Sequence, residues 1–160
     1  MKIYVAGDHA GFELKNILIP FIENLGHGVE DMGSFDMEPT DDYPDMVSKV
    51  ALAVASNIES MGIIVGGSGQ GEAMVANRTL GVRAAVFYGP VMPKTTIDIE
   101  GTGSTDPFAV VRLERAHNNA NVLSLGARFV SIDEAETAVR IFLDTAFSSE
   151  ERHQRRIEKF

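Results

Sequence analysis

Residues 62–77 read GIIVGGSGQGEAMVAN, and this stretch decides the fold. Residues 62–65 form a continuous apolar run of strand length. Glycines at positions 66, 67, 69 and 71 then break the run before a helix that we expect to start at Glu72. A wholly apolar strand that leads through a glycine-rich loop into a helix is typical of a parallel sheet buried on both faces.

The same alternation of strand and helix extends from this stretch towards both ends of the chain. The predicted strands cover residues 2–6, 28–32, 62–65, 82–88 and 121–125, and the predicted helices cover 12–25, 43–56, 72–77, 108–116 and 132–147. Strands that alternate with helices indicate parallel βαβ units with right-handed crossovers. We therefore predict an α/β fold with a doubly wound, five-stranded parallel sheet, whose ligands bind at the carboxyl ends of the strands.

Three local signals refine the predicted helices. Pro20 lies inside the first helical run, where it removes a hydrogen bond and is expected to kink or divide the helix. Pro44 stands in the first turn of the second helix, where proline is well tolerated. Ser131 and Glu134 have the spacing of a capping box at the start of the last core helix.

Two segments do not follow the alternation. Residues 90–106 have no clear periodicity and are predicted to form a loop or lid, which we call the 90–106 segment. Residues 150–160 form a charged tail, here the basic tail, which we expect to be helical. Because 160 residues bury one sizeable core and not two, we predict a single domain over residues 1–160.

Composition excludes several classes of function. The net charge of −9 disfavours nucleic-acid binding, because phosphate backbones are held by an excess of Lys and Arg. The absence of cysteine excludes disulfides, thiol nucleophiles and Cys-ligated metals. No apolar stretch approaches the roughly 20 residues of a membrane span, and the first residues do not form a signal peptide. We expect a cytoplasmic protein that binds neither nucleic acid nor membrane.

Glu72 at the end of the glycine-rich loop is the first candidate for chemistry. The loop lets several backbone N–H groups converge on one anion, although a tight turn explains the glycines equally well. A carboxylate in a first helical turn is also explained by the helix dipole. The functional alternative is a general base, because abstraction of a proton next to a carbonyl needs a carboxylate and donors for the enediolate oxygen.

Other polar residues stand where ligands bind in such folds. Asp8 and His9 follow the first strand, where they could exchange protons with a sugar or simply cap and pack against the next helix. The run 117–119, His-Asn-Asn, precedes the fifth strand and Arg128 follows it; each of these residues has a structural explanation as well. The basic tail has arginines at 152 and 156, four apart on one helix face, where they form an exposed basic surface or a fork for a phosphate.

Several of these motifs together resemble the type B ribose-5-phosphate isomerase family, which includes the galactose-6-phosphate isomerase subunits. The matching stretches are residues 7–15 (GDHAGFELK), 42–45 (DYPD), 66–77 (GGSGQGEAMVAN), 81–83 (GVR), 117–122 (HNNANV), 126–128 (GAR) and 152–156 (RHQRR). They occur in order over nearly the whole chain, and their number makes the resemblance specific.

The resemblance implies a Rossmann-like three-layer α/β/α sandwich with no metal or organic cofactor. It implies a homodimer or a tetramer in which two subunits share each active site. It also implies interconversion of an aldose and a ketose through ring opening and an enediol. Many members of the family have a cysteine at the position of Gly66, whereas a subgroup has a glutamate at the position of Glu72; this chain resembles the subgroup.

The resemblance also assigns roles to individual residues. Glu72 is the base. Asp8 and His117 are candidates for ring opening, and Tyr43 and Asn118 contact the sugar. The anion hole is formed by the Ser68 side chain and the backbone amides of Gly67, Gly69 and Gly71. The residues assigned to the phosphate are His9, Arg128, Arg152 and Arg156.

These roles predict an isomerase that interconverts ribose 5-phosphate and ribulose 5-phosphate. The 90–106 segment departs from the family pattern and adds chain near the ligand-binding edge, which leaves another tetrose, pentose or hexose phosphate open as the substrate. A non-catalytic sugar-phosphate-binding protein on the same fold is the alternative from another class. A nucleotide-binding regulator is disfavoured, because the glycine-rich loop lacks the fingerprint of such sites.

Overall fold

A computed structural model describes residues 1–159 and shows a five-stranded parallel sheet with helices on both faces. The strands are β1 (Lys2–Gly7), β2 (Gly28–Asp31), β3 (Met61–Gly66), β4 (Ala84–Phe87) and β5 (Val122–Gly126). The helices are α1 (Phe12–Asn24), α2 (Tyr43–Ser56), α3 (Gln70–Ala76), α4 (Ala109–Ala116), α5 (Ile132–Asp144) and α6 (Glu151–Ile157). The predicted α/β fold and its doubly wound parallel sheet are confirmed.

The strand order β2-β1-β3-β5-β4 creates a crevice beside β1 and β3. From β1 the chain adds β2 on one side of the sheet and then returns to add β3 on the other side. The connections after β1 and β3 therefore diverge, and the carboxyl ends of these two strands border the point where the strand order reverses. Ligands of open α/β sheets bind at such a point.

Two apolar clusters hold the three layers together. On one face, Leu18 of α1 packs with residues of α4 and α5 against Ile63 and Val65 of β3. On the other face, α2 and α3 cover Ile64 of the same strand. Burial on both faces explains why β3 is apolar throughout, and each fully buried Ile or Leu contributes about 1.5–3 kcal/mol.

Helix α1 is continuous through Pro20, so of the two outcomes expected there, a kink or a division, the structure excludes the division. Proline removes the N–H that would bond to the carbonyl of Asn16, four residues earlier. Both Pro20 and Asn16 are exposed, so this carbonyl lies on the side of the helix that water reaches. The cost of the missing hydrogen bond is therefore reduced.

Helix α5 ends at Asp144, three residues before the predicted end at residue 147. Thr145 is already in an extended conformation, and its carbonyl accepts a hydrogen bond from Arg115 Nε at 3.1 Å. The Ser148 N–H donates to the carbonyl of Ala116 at 3.0 Å. These contacts with the end of α4 hold the chain in a non-helical path after Asp144. At the start of α5, the predicted capping box of Ser131 and Glu134 is present.

The 90–106 segment contains neither helix nor strand, as predicted, and the basic tail forms α6, as predicted. Within residues 1–159, no helix is both long enough and apolar enough to cross a membrane.

Candidate active site

A cleft of about 450 Å³ lies at the carboxyl ends of β1 and β3. The loop after β1 contributes Asp8 and His9, and the glycine-rich loop after β3 leads to Glu72. The residues that line the cleft are Asp8, His9, Ala10, Tyr43, Gly67, Ser68, Gly71, Glu72, Arg128 and Phe129. Most of the residues predicted for the site therefore meet in one place.

Glu72 is an acidic residue with little access to water. It lies in the first turn of α3 and is only 4% exposed. Burial raises the pKa of its carboxyl above the ordinary 4.5, and the negative charge of Asp8 raises it further, while a hydrogen bond from the Glu72 backbone acts in the opposite direction. A carboxylate whose pKa is shifted towards neutrality is suited to take up and return a proton.

The Glu72 side chain fills the space next to Gly66. A Cβ atom placed on Gly66 would lie 1.7 Å from Oε1 of Glu72, a distance that no two atoms of this kind tolerate. Glycine at position 66 therefore leaves free the space that the carboxylate occupies at the end of β3. A side chain at position 66 and the Glu72 carboxylate in this position therefore exclude each other.

The glycine-rich loop presents unused donors beside this carboxylate. Among the hydrogen bonds formed within residues 1–159, none uses the N–H groups of Gly67, Ser68 or Gly69. The fully buried Ser124 of β5 fixes the loop, because its Oγ donates a hydrogen bond to the carbonyl of Gly69 at 2.6 Å. Fixed, unpaired N–H groups of this kind can stabilise an oxyanion.

Asp8 combines a structural contact with a position in the cleft. Its Oδ1 accepts a hydrogen bond from the N–H of Gly11 at 3.0 Å, just before α1 begins. The residue is 6% exposed and lies near enough to Glu72 to raise the pKa of that carboxyl. Both explanations considered for Asp8 therefore have support: it orders the start of α1, and it lines the cleft.

Tyr43 and Arg128 lie over the loop because the loop residues beneath them have no side chain. A Cβ atom on Gly71 would be 2.7 Å from the hydroxyl of Tyr43. A Cβ atom on Gly67 would be 3.2 Å from Cζ of Arg128. The phenol and the guanidinium therefore border the same opening as the unpaired N–H groups.

Asp41 was not predicted for the site, yet it holds His9. Its Oδ1 accepts hydrogen bonds from the backbone N–H of His9 at 3.1 Å and from the Nδ1 atom of the ring at 2.7 Å. The bond to Asp41 raises the pKa of His9 above the ordinary 6.5, a nearby Asp8 charge acts in the same direction, and Arg128 opposes it. The two residues are 32 positions apart, so no local pattern indicates their contact.

Asp8, His9 and Asp41 also have ligand atoms within 4.8 Å of one another, as in a metal site. The short hydrogen bond between His9 Nδ1 and Asp41 already accounts for the closest pair. We therefore interpret the group as a hydrogen-bonded cluster that favours the charged form of His9.

The variant Asp41→Asn is expected to lower the pKa of His9. The Asp41 carboxylate favours the imidazolium form, so its removal makes His9 lose its proton at a lower pH. The affinity of the cleft for anions should then begin to fall at a lower pH as well. An NMR titration of the histidine ring measures the change. Asp42→Asn, which removes an exposed carboxylate one residue away, is the matched control; an equal shift in both variants would contradict the assignment.

The remaining predicted residues lie elsewhere on the same chain. His117, Arg152 and Arg156 line a second pocket of about 260 Å³, together with residues 96–99 of the 90–106 segment and His153. Asn118 lines a third cavity, of about 400 Å³, whose wall includes Leu80 and Ile157. Within one chain, the structure thus divides the predicted site into a part with Glu72 and a part with the basic tail.

His153 is a further residue that the sequence pattern did not single out for a role. Its ring stacks on that of His117, with centroids 4.2 Å apart and planes at 18°. The residue is 4% exposed, and burial lowers its pKa, as does the nearby His117. A buried ring thus packs against one side of the His117 imidazole and restricts its orientation.

Comparison with known proteins extends these observations. The family model described as Ribose/Galactose Isomerase matches residues 3–101 and 104–160. Ribose-5-phosphate isomerase B of Mycolicibacterium paratuberculosis is 35% identical over 158 residues, which make up 99% of this chain and 88% of that protein. Ribose-5-phosphate isomerase B of Escherichia coli is 34% identical over 157 residues, or 98% of this chain and 92% of that protein.

Solved structures agree with the sequence relatives. Ribose-5-phosphate isomerase B from Mycoplasma genitalium, crystallised with bound ribulose-5-phosphate, is 35% identical and has a TM-score of 0.84, with coverage of 99% of this chain and 92% of that one. The enzyme from Clostridium thermocellum gives the same identity and TM-score, with coverage of 99% and 94%. The match in sequence and fold extends over essentially the whole chain, and the chain therefore belongs to the ribose/galactose isomerase family.

Proposed function

We propose that the chain interconverts ribose 5-phosphate and ribulose 5-phosphate, with Glu72 as the base. The main support is the buried Glu72 carboxylate, with its raised pKa, beside the unpaired N–H groups of the glycine-rich loop. The relatives that carry the name ribose-5-phosphate isomerase B support ribose 5-phosphate as the sugar.

The proposed chemistry is the transfer of one proton between neighbouring carbons. With the sugar in its open form, Glu72 takes the proton from C2. The electrons of the C2–H bond form a double bond between C1 and C2, and the π electrons of the C1 carbonyl move onto its oxygen. The enediolate oxygen accepts hydrogen bonds from the N–H groups of the loop and from the Ser68 hydroxyl. Glu72 then returns the proton to C1, while the hydroxyl proton of O2 passes to O1, and the ketose is complete.

Ring opening precedes this step and requires a second acid–base group. Asp8 borders the cleft, so it can exchange a proton with the ring oxygen or with the C1 hydroxyl. His117, held by its stack on His153, is the other group assigned to this step, but it lies in the pocket beside the basic tail. The two assigned groups can act on one sugar only if the two pockets come together.

The two pockets would come together in a two-fold homodimer. In such a dimer, the partner's basic tail would complete each cleft. The chain presents exposed apolar side chains next to the base: Met74, two positions after Glu72, is 73% exposed and Leu80 is 92% exposed. In the proposed dimer the partner would cover these side chains and remove their apolar surface from water. In a two-fold dimer the same pair of surfaces meets twice, which gives two equivalent composite sites.

The phosphate of the substrate is assigned to cations from both parts of the site. His9 and Arg128 lie at the rim of the cleft, and the partner would supply its own copies of Arg152 and Arg156. Guanidinium groups bind phosphate through two parallel N–H bonds, which fixes its position as well as its charge. Such a clamp would hold the sugar with C1 and C2 towards Glu72.

Isotope exchange tests this function directly. A panel of aldose phosphates of four to six carbons is incubated with the protein in heavy water, and deuterium at C2 is followed by NMR. We expect deuterium exchange at C2 of ribose 5-phosphate, accompanied by the formation of ribulose 5-phosphate. Absence of exchange with every sugar that binds would indicate a sugar-phosphate-binding protein instead of an isomerase.

Another aldose phosphate is the second candidate substrate, because the 90–106 segment borders the pocket of the basic tail. In the proposed dimer, residues 96–99 would stand beside the substrate. Faster exchange with a tetrose or hexose phosphate than with ribose 5-phosphate would favour this candidate.

A further inference from the structure

The 90–106 segment has an ordered turn that carries Glu100 towards the basic tail. The base of the segment is closed by a hydrogen bond from the Val91 N–H to the carbonyl of Pro107 at 2.8 Å. Within it, the Ile97 N–H donates to the carbonyl of Thr102 at 2.9 Å, and Asp98 Oδ1 accepts from the Thr102 N–H at 2.9 Å. These contacts give the turn around Glu100 a definite shape.

Glu100 forms a two-pronged contact with Arg152. Nη1 of the arginine donates to Oε1 of Glu100 at 3.1 Å, and Nη2 donates to Oε2 at 3.3 Å. Nε of Arg152 is also engaged, with the Glu150 carboxylate at 2.9 Å. The Arg152 side chain is only 17% exposed, whereas the Glu100 side chain is 60% exposed.

The neighbouring Arg156 differs in its surroundings. It lines the same pocket and is exposed, and the ion pairs formed within residues 1–159 do not include it. The two arginines assigned to the phosphate therefore differ. Arg156 forms no ion pair within residues 1–159, whereas Nη1 and Nη2 of Arg152 are already bonded to the Glu100 carboxylate.

We propose that Glu100 competes with the substrate's phosphate for Arg152, and that the 90–106 segment thereby sets the affinity for phosphorylated sugars. The inference rests on the proposed function, in which Arg152 helps to hold the phosphate. A carboxylate and a phosphate use the same pair of guanidinium N–H groups, so the phosphate can engage this fork only after Glu100 has left it. Glu100 is thus a specificity-determining residue that favours ligands able to displace it.

The variant Glu100→Gln tests the competition. Glutamine keeps the size of the side chain but removes the charge, so phosphate no longer has to displace an ion pair. We expect the Kd for inorganic phosphate, measured by calorimetry, and the KM for the sugar phosphate to fall about twofold to fivefold, the range of an exposed ion pair. Weaker phosphate binding in this variant would overturn the proposal, because Glu100 would then position Arg152 for the ligand.

Two further variants separate this effect from general electrostatics. Glu158→Gln removes one negative charge from an exposed position of the same tail and should leave the Kd for phosphate unchanged. In an Arg152→Ala background, Glu100→Gln should give no gain, because the shared partner is missing. An equal gain from Glu158→Gln, or a gain that persists without Arg152, would overturn the proposal.

The same experiment distinguishes failure of this proposal from failure of the proposed function. If Arg152→Ala alone leaves phosphate binding unchanged, the assignment of Arg152 to the phosphate is wrong, and the proposed competition is refuted as well. If Arg152→Ala weakens binding while Glu100→Gln has no effect, the phosphate site stands and only the role of Glu100 is refuted.

Discussion

Turnover of the Glu72→Gln variant is expected to fall by at least about 10²-fold, the usual scale for loss of a general base. Glutamine has the same shape and can still form hydrogen bonds, but it cannot accept the proton from C2. Binding of the sugar phosphate should change little, because the phosphate is held by other residues. Steady-state kinetics and calorimetry with ribose 5-phosphate measure the two quantities separately.

The chain offers a matched control in Glu114. This residue is also buried, at 7% exposure, and burial raises the pKa of its carboxyl to about 8. It lies on α4 and does not line the cleft, so Glu114→Gln should keep normal turnover. Near-normal turnover in Glu72→Gln, or an equal loss in both variants, would remove Glu72 from the role of base.

The pH dependence provides a second check on the same residue. A base must be ionised to act, so activity should rise with pH through the pKa of Glu72. Because burial raises this pKa, the acid limb of kcat/KM should lie above the ordinary 4.5 of a glutamate. The limb should disappear in Glu72→Gln, whatever residual activity remains.

A mixture of two inactive variants should regain activity if the active site is shared between subunits. One variant is Glu72→Gln, and the other carries Arg152→Ala and Arg156→Ala. Unfolded together and refolded in equal amounts, about half of the dimers contain one chain of each kind. Each mixed dimer then has one site with both defects and one site with none.

The expected activity is therefore roughly a quarter of that of the refolded wild-type protein. Each variant refolded by itself provides the baseline, and size-exclusion chromatography verifies that dimers have formed. If the basic tail folds onto the cleft of its own subunit, every site keeps one defect, and the mixture recovers nothing. That result would require the shared site to be abandoned.

The sequence predicted the parts of the fold that depend on local patterns. Helix α2 has the predicted bounds, Tyr43–Ser56, because Pro44 favours its first turn and its apolar residues repeat at helical spacing. Strand β3 and the glycine-rich loop were found because burial on both faces leaves a continuous apolar run. The parallel sheet then placed Asp8 and Glu72 near each other, since both follow strands that end at the same edge.

The contacts that the sequence did not predict join distant positions. Asp41 binds His9 across 32 residues, and Glu100 binds Arg152 across 52. Such contacts depend on the order of the strands and on the path of irregular segments, which periodicity does not encode. The division of the site between two pockets likewise appears only in three dimensions, and the roles given to His117 and Asn118 remain predictions.

The tight contact between Gly66 and Glu72 limits how this active site can evolve. A lineage that gains a side chain at position 66 must displace the carboxylate, and in the proposed mechanism one that loses Glu72 first has no base while position 66 is still glycine. Either order passes through an impaired intermediate, so the two positions are expected to change together. Strong epistasis between these two neighbouring positions is the expected consequence of their contact.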